Sequence, residues 1–181
     1  NQSQNFIFAY EESFGYLVGQ YCRDKDAVGA AMLLCEAAAY YKLKGLTLFD
    51  ELEKIYKEYG YHLEITENIA MKGLDGLEKT KKLMAGLREN IEKSIGGIEV
   101  KAFRDYLSQN VTELKSGKII KTGLEKSNVV YYELKDGSRI AVRPSGTEPK
   151  VKVYYLIQGS DKKDCQEKYK NIKQSFEKLF E

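Results

Sequence analysis

The sequence has no tryptophan, one histidine, two prolines and three cysteines. Each shortage closes a route. Cys22, Cys35 and Cys165 lie far apart, form no Cys-x-x-Cys spacing and have only His62 for company, which argues against a zinc centre. An odd number of widely set cysteines also argues against a disulfide framework, and thiols in a reducing, cytoplasmic setting fit better. No apolar run reaches the roughly 18 residues that a membrane span needs. The start carries no signal-peptide pattern either, so no membrane partner is expected. A surplus of one charge is missing too. Lys and Arg number 29 against 27 Asp and Glu, interspersed rather than blocked. That balance argues against nonspecific affinity for nucleic acid.

What is present suffices for a core, since 43% of the residues are hydrophobic and 12% aromatic. The run Asn5–Tyr10 predicts a short buried strand, followed by turns at Gly15 and Gly19. Asp24 is placed to cap a helix, with Asp26 favouring the positive end of its dipole. That helix, over residues 27–41, is apolar on nearly every side and is expected to be buried, ending at Gly45. Thr47 and Asp50 form a variant capping box for a second helix, which buries Leu48, Leu52, Ile55 and Tyr59 and stops at Gly60. Residues 61–66 alternate strictly as a half-buried strand, with His62 on the polar face.

Gly73 and Gly76 bracket a change of composition, so the domain boundary is expected at residues 73–76. Beyond it an amphipathic helix carries Leu77, Leu83, Met84, Leu87 and Ile91 and runs to Gly96-Gly97, before a strand over 98–103. Strands over 129–134 and 139–142 flank an Asp136-Gly137 turn. Another strand follows over 150–157, and Asp161 caps a last helix. The fold class expected for residues 77–181 is therefore α+β, with helices on one face of an antiparallel sheet.

Two stretches carry chemistry. Both prolines lie in Arg143-Pro144-Ser145-Gly146-Thr147-Glu148-Pro149-Lys150, between two strands. Proline is poor inside a strand, so this is a shaped loop. A guanidinium, two hydroxyls, a glycine and a lysine within eight residues suit a phosphate dianion, although a solvated turn has the same composition. The second stretch is Glu11-Glu12-Ser13-Phe14-Gly15-Tyr16 with Arg23-Asp24-Lys25-Asp26. A carboxylate and a hydroxyl at a strand end can grip a polyhydroxylated ligand, or the carboxylate can cap a helix. Lys25, at a helix start, is placed to face an anion.

The loop from Arg143 to Lys150 resembles the phosphate-binding loop of the last domain of the α-D-phosphohexomutases, the phosphoglucomutase/phosphomannomutase family. The stretch from Glu11 to Asp26 resembles the sugar-recognition loop at the end of that family's third domain. The resemblance implies that residues 1–72 are the end of domain 3, that 73–76 are a hinge, and that 77–181 are a domain 4 like the TATA-binding protein's saddle. It implies substrate binding by Glu11, Ser13 and Lys25 on the sugar, and by Arg143, Ser145, Gly146, Thr147 and Lys150 on the distal phosphate. The implied reaction interconverts hexose 1-phosphate and 6-phosphate through a phosphoserine, with Mg2+ and hexose 1,6-bisphosphate as cofactors of the intact enzyme.

Neither the phosphoserine setting nor an Asp-Gly-Asp metal loop occurs here. The chain is thus expected to bind a phosphosugar while holding no catalytic residue, metal or cofactor, with its N-terminal domains as partners. Asn1-Gln2-Ser3-Gln4 is no initiating sequence, which agrees with a piece of a longer protein. Phe14-Gly15, where the shorter bacterial phosphomannomutases have Gly-His, resembles the phosphoglucomutase branch; glucose phosphate leads, with mannose and pentose phosphates behind it. The rival classes are a non-catalytic phosphosugar or anion module and a saddle-fold nucleic-acid binder, the latter favoured by 14 tyrosines and opposed by the charge balance.

Overall fold

Two stretches of the chain fold as separate units, one through Glu58 and one from Tyr59 onward. Their geometry comes from a computed structural model that describes residues 6–146 and 148–180.

The first unit opens with β1 (Phe8–Tyr10) and β2 (Tyr16–Val18), paired antiparallel with Tyr10 opposite Tyr16. The expected strand is there, but it is exposed rather than buried. The next element, α1 (Ala27–Leu43), is capped by Asp26, not Asp24. Asp26 is extended (φ −129°) and accepts from the Val28 and Gly29 amides, which two of the four orphan N–H groups of a helix start require. Gly45, at φ +71°, ends the helix as expected. The expected burial fails, because α1 contains no buried residue. Its apolar side chains point all round, and a ribbon of two three-residue strands cannot cover them. The second helix, α2 (Leu48–Tyr59), starts in the predicted box. The Asp50 amide donates to Thr47 Oγ1 at 3.2 Å while Asp50 Oδ2 accepts from the Thr47 amide at 2.7 Å. Leu52, Ile55 and Tyr59 remain exposed here, against expectation.

The second unit begins with β3 (Tyr61–Ala70), whose exposure alternates without a break and keeps His62 on the open side. The expected boundary at 73–76 is corrected by this strand. It pairs with β10 (Lys150–Gly159) along ten residues, from Tyr61–Gly159 to Ala70–Lys150, so it belongs to the second sheet. Gly73 and Gly76 serve a turn inside the second unit rather than a hinge between units. Gly73 adopts φ +108°, and a Cβ on Gly76 would lie 2.3 Å from the Met71 carbonyl oxygen and 2.8 Å from Pro149 Cβ.

From there α3 (Gly76–Glu89) ends earlier than expected, and Gly96-Gly97, both at positive φ, instead turn β4 (Ser94–Ile95) into β5 (Ile98–Asp105). The hairpin of β6 (Asn110–Glu113) and β7 (Ile119–Lys121) follows, then β8 (Val130–Leu134) and β9 (Arg139–Pro144). The main path of the sheet is β3-β10-β9-β8-β5-β6-β7, antiparallel throughout, with β4 on β5. Asp161 caps α4 (Lys162–Glu177) by accepting from the Asp164 amide at 2.9 Å.

Val151, Val153, Tyr155 and Ile157 alternate onto one face of β10, where Cys165, Ile172 and Phe176 of α4 join them in a buried cluster with Met84 and Leu87 of α3. Tyr132 stacks edge-on against Phe103 and Phe176 in the same core. Both helices feed one side of the sheet, which is the expected α+β layout. The other side carries His62, Arg139, Arg143, Lys152 and Tyr154.

Candidate functional site

The β1–β2 hairpin closes through the Glu11 amide, which donates to the Gly15 carbonyl at 2.9 Å. Within this turn Phe14 adopts φ +64°, a region costly for a bulky side chain, and stands in solvent. The turn folds Ser13 back so that its hydroxyl donates to Glu11 Oε1 at 3.0 Å. Lys25 reaches the same oxygen at 3.5 Å and Asp24 Oδ1 at 3.5 Å. Gly15 makes that approach possible, since a Cβ there would lie 2.4 Å from Lys25 Cδ and 2.6 Å from Glu11 Oε1.

Glu11 and Lys25 thus meet in an open cleft of about 240 Å³ whose walls include Tyr10, Gly15, Arg23 and Asp24, and Ser13 joins them through its bond to Glu11. Asp24 and, next, Glu11 raise the Lys25 ammonium pKa above its ordinary value, so it stays charged. The Lys25 amide, donating to Asp24 Oδ1 at 2.7 Å, holds the Asp24 carboxyl below the usual carboxylate range. Arg23 lines the cleft as well, without a role expected from the sequence. Its signal was its place two residues before Lys25, at the loop's turn toward the cleft.

In the second unit the loop after β9 is pinned at its base. The Ser145 amide donates to the Lys150 carbonyl at 2.9 Å, the Lys150 amide to the Glu148 carbonyl at 2.8 Å, and the Met71 amide to the Pro149 carbonyl at 2.8 Å. Ser145 Oγ accepts from the Glu148 amide at 3.2 Å. Pro144 ends β9 opposite Val151, beyond Val142, the last partner of β8, where its missing N–H costs no ladder bond with that strand. Arg143 lies exposed directly across from Lys152. The Lys150 ammonium pairs with the Glu148 carboxylate, which lowers the Glu148 pKa. Gly146 has open space where a Cβ would stand. Thr147 lies outside the described residues. Arg143, Ser145, Gly146 and Lys150 therefore share one loop and its strand ends, a surface rich in donors with one carboxylate held by its own lysine.

Among the described residues no group of three or more His, Cys, Asp or Glu could hold a metal ion. No helix among them is long and apolar enough to cross a membrane.

Comparison with known proteins gives the following matches. Residues 68–168 match the family model for the phosphoglucomutase/phosphomannomutase C-terminal domain, and residues 1–59 match that for its alpha/beta/alpha domain III. A phosphoglucomutase of Staphylococcus aureus strain MRSA252 is 41% identical over 165 residues, 91% of this chain and 30% of the relative. That of strain MSSA476 is 42% identical over 154 residues, 85% of this chain and 28% of the relative. The chain thus spans about 30% of the length of the curated relatives it matches. Among solved structures, the open form of the Paramecium exocytosis-sensitive phosphoprotein pp63/parafusin, a phosphoglucomutase, gives a TM-score of 0.62. It is 18% identical, covers 95% of this chain and 30% of that one, and speaks for the fold alone.

Proposed function

The chain belongs to the phosphoglucomutase/phosphomannomutase family, and on that premise we propose that it is the substrate-recognition part of a phosphohexomutase. The intact protein would interconvert a hexose 1-phosphate and its 6-phosphate, with glucose phosphate the leading substrate. The observation that carries this is the convergence of the Ser13 hydroxyl and the Lys25 ammonium on the Glu11 carboxylate, which lines the cleft with Lys25. A carboxylate with two acceptor oxygens suits two adjacent sugar hydroxyls, and a neighbouring cation suits the charge of a phosphorylated sugar.

Arg143, Ser145 and Gly146, with Thr147, would form the phosphate clamp. Arg143 supplies the planar fork and the loop supplies hydroxyl and backbone donors. Lys150 is the weaker member, because its ammonium must share Glu148 before it serves a phosphate. A clamp and a sugar grip of this kind serve a substrate that binds in two orientations, since equatorial hydroxyls stay equivalently placed when the sugar turns over. The phosphoserine setting and the Asp-Gly-Asp loop of the implied reaction do not occur in this sequence, and no group of three or more His, Cys, Asp or Glu among the described residues could hold a metal ion. The chain alone should therefore read background in a coupled mutase assay.

The test is steady-state kinetics on the full-length protein that carries this segment. Arg143→Ala should lower kcat/KM for glucose 1-phosphate by about ten- to hundredfold, the equivalent of one charge-assisted hydrogen bond. Arg143→Lys should recover part of that loss, and Lys163→Ala in α4 should change nothing. Wild-type kcat/KM in Arg143→Ala would overturn the clamp.

A further inference from the structure

The loop that delivers Lys25 is closed by a side chain outside the cleft. Tyr21 stands at its start and Asp26 at its end, and the Tyr21 hydroxyl donates to Asp26 Oδ2. Asp26 is also the cap of α1. Its Oδ1 accepts from the Val28 amide at 3.1 Å, its Oδ2 from the Gly29 amide at 2.8 Å, and its own amide donates to the Tyr16 carbonyl at 2.8 Å. A carboxylate that holds three donors, on a backbone tied to β2, has one orientation, and Lys25 is its chain neighbour. Inside the loop the Cys22 thiol donates to the Asp24 carbonyl at 3.1 Å.

Two glycines make room for this arrangement from opposite sides. A Cβ on Gly29 would lie 2.4 Å from the Tyr21 hydroxyl oxygen and 2.6 Å from Asp26 Oδ2. Alanine would serve the helix better at that position, so the space is what glycine contributes. Gly15 does the same for Lys25 and Glu11, as described above. The Asp26 carboxylate pushes the Tyr21 phenol up to about 12, so the hydroxyl remains a donor at any working pH.

We propose that Tyr21 is a positioning residue for the sugar cleft. By binding Asp26 it fixes the loop over residues 22–25, so that the Lys25 ammonium stays beside Glu11. This rests on the assignment of Glu11, Ser13 and Lys25 to the sugar. Tyr21 itself touches no proposed ligand. It acts through Asp26 and the backbone of the loop.

The test is a double-mutant cycle in the full-length protein that carries this segment, with glucose 1-phosphate as substrate. Tyr21→Phe removes only the hydroxyl. It should lower kcat/KM by about three- to tenfold, mostly through KM, because Lys25 holds substrate and transition state alike. In a Lys25→Ala background the same change should move kcat/KM by less than about twofold, since nothing is left to position. Gly29→Ala, whose Cβ crowds both the Tyr21 hydroxyl and Asp26 Oδ2, should lower kcat/KM at least as much as Tyr21→Phe. Equal losses in both backgrounds would mean a purely structural role and overturn the inference. So would wild-type KM in Tyr21→Phe while Lys25→Ala is impaired. A silent Lys25→Ala would instead sink the sugar site itself, which separates the two failures.

Discussion

In the second unit Val151, Val153, Tyr155 and Ile157 have no exposed surface, whereas in the first Val28, Met32 and Leu34 are 78, 71 and 60% exposed. The residue types are alike, so the difference lies in what covers them. A strand such as β10 is apolar on one face only, and α4 covers that face. The helix α1 is apolar on nearly every side and needs a layer on each, which is what an alpha/beta/alpha arrangement supplies. Its own unit offers two helices and a short ribbon. The second unit thus carries a complete core, and the first leaves the apolar sides of α1 exposed.

Truncating an apolar side chain should therefore cost far more in the second unit than in the first, and this is the largest effect expected. Phe176→Ala, at the centre of the second core, should destabilise the chain by about 3–5 kcal/mol in urea unfolding. Leu34→Ala should cost less than about 1 kcal/mol in the same chain, because its side chain has little burial to lose. In a full-length protein that covers α1, Leu34→Ala should rise to about 2–5 kcal/mol. A large cost for Leu34→Ala in this chain would break the comparison.

A smaller effect tests how the second unit holds its loop. A Cβ on Gly76 meets the Met71 carbonyl oxygen and Pro149, the residue that ends the loop. Gly76→Ala should cost about 1–3 kcal/mol, as overpacking usually does. If the loop is the phosphate clamp proposed above, Gly76→Ala should also raise KM for the phosphosugar in the full-length protein, since Met71 and Pro149 share a backbone hydrogen bond at the loop's base. Gly146→Ala, with open space around it, should leave stability unchanged. Equal stability of both variants would show that the loop base is not packed as described.

Much of this was legible in the residues. Strict alternation announced β3 and β10, Asp136-Gly137 announced the β8–β9 turn, and Asp161 and Gly45 announced helix ends. The hairpin of β6 and β7 was not foreseen, because strands of four and three residues rich in Asn, Thr, Glu and Lys carry no clear period. The boundary was misplaced because Gly73 and Gly76 look the same whether they loosen a linker or permit a tight packing, and only the pairing of β3 with β10 distinguishes these. The cap was misassigned because Asp24 and Asp26 both suit the position. The difference lies in which backbone turns, and the Asp26 amide is held by the Tyr16 carbonyl of β2. The chemistry of the two proposed binding stretches leaves a solvated turn and a capping carboxylate open, and it is the resemblance that assigns them to a ligand; the Tyr21–Asp26 contact that closes the loop has no sequence signal.

The smallest expected effect concerns acid, and it separates the units once more. The Tyr21 hydroxyl, followed by the Gly29 amide, holds the Asp26 carboxyl below the usual carboxylate range. A carboxylate whose pKa is lowered on folding stabilises the fold above its unfolded value. That contribution is lost as pH falls through the lowered folded value, here below about pH 4. Protonated Asp26 no longer draws the Val28 and Gly29 amides as a charged cap, so their hydrogen exchange should quicken relative to the intrinsic rate at that acidity. The amides of Val153 and Tyr155 should stay protected through the same range, because the cluster around β10 is apolar and does not titrate there. Asp26→Asn, which keeps a capping oxygen but no charge, should flatten the response at Val28 and Gly29. Tyr21→Phe should shift the midpoint upward, since it removes the foremost cause of the lowered pKa. An unmoved midpoint in Tyr21→Phe would mean that the hydroxyl does not hold Asp26 in solution.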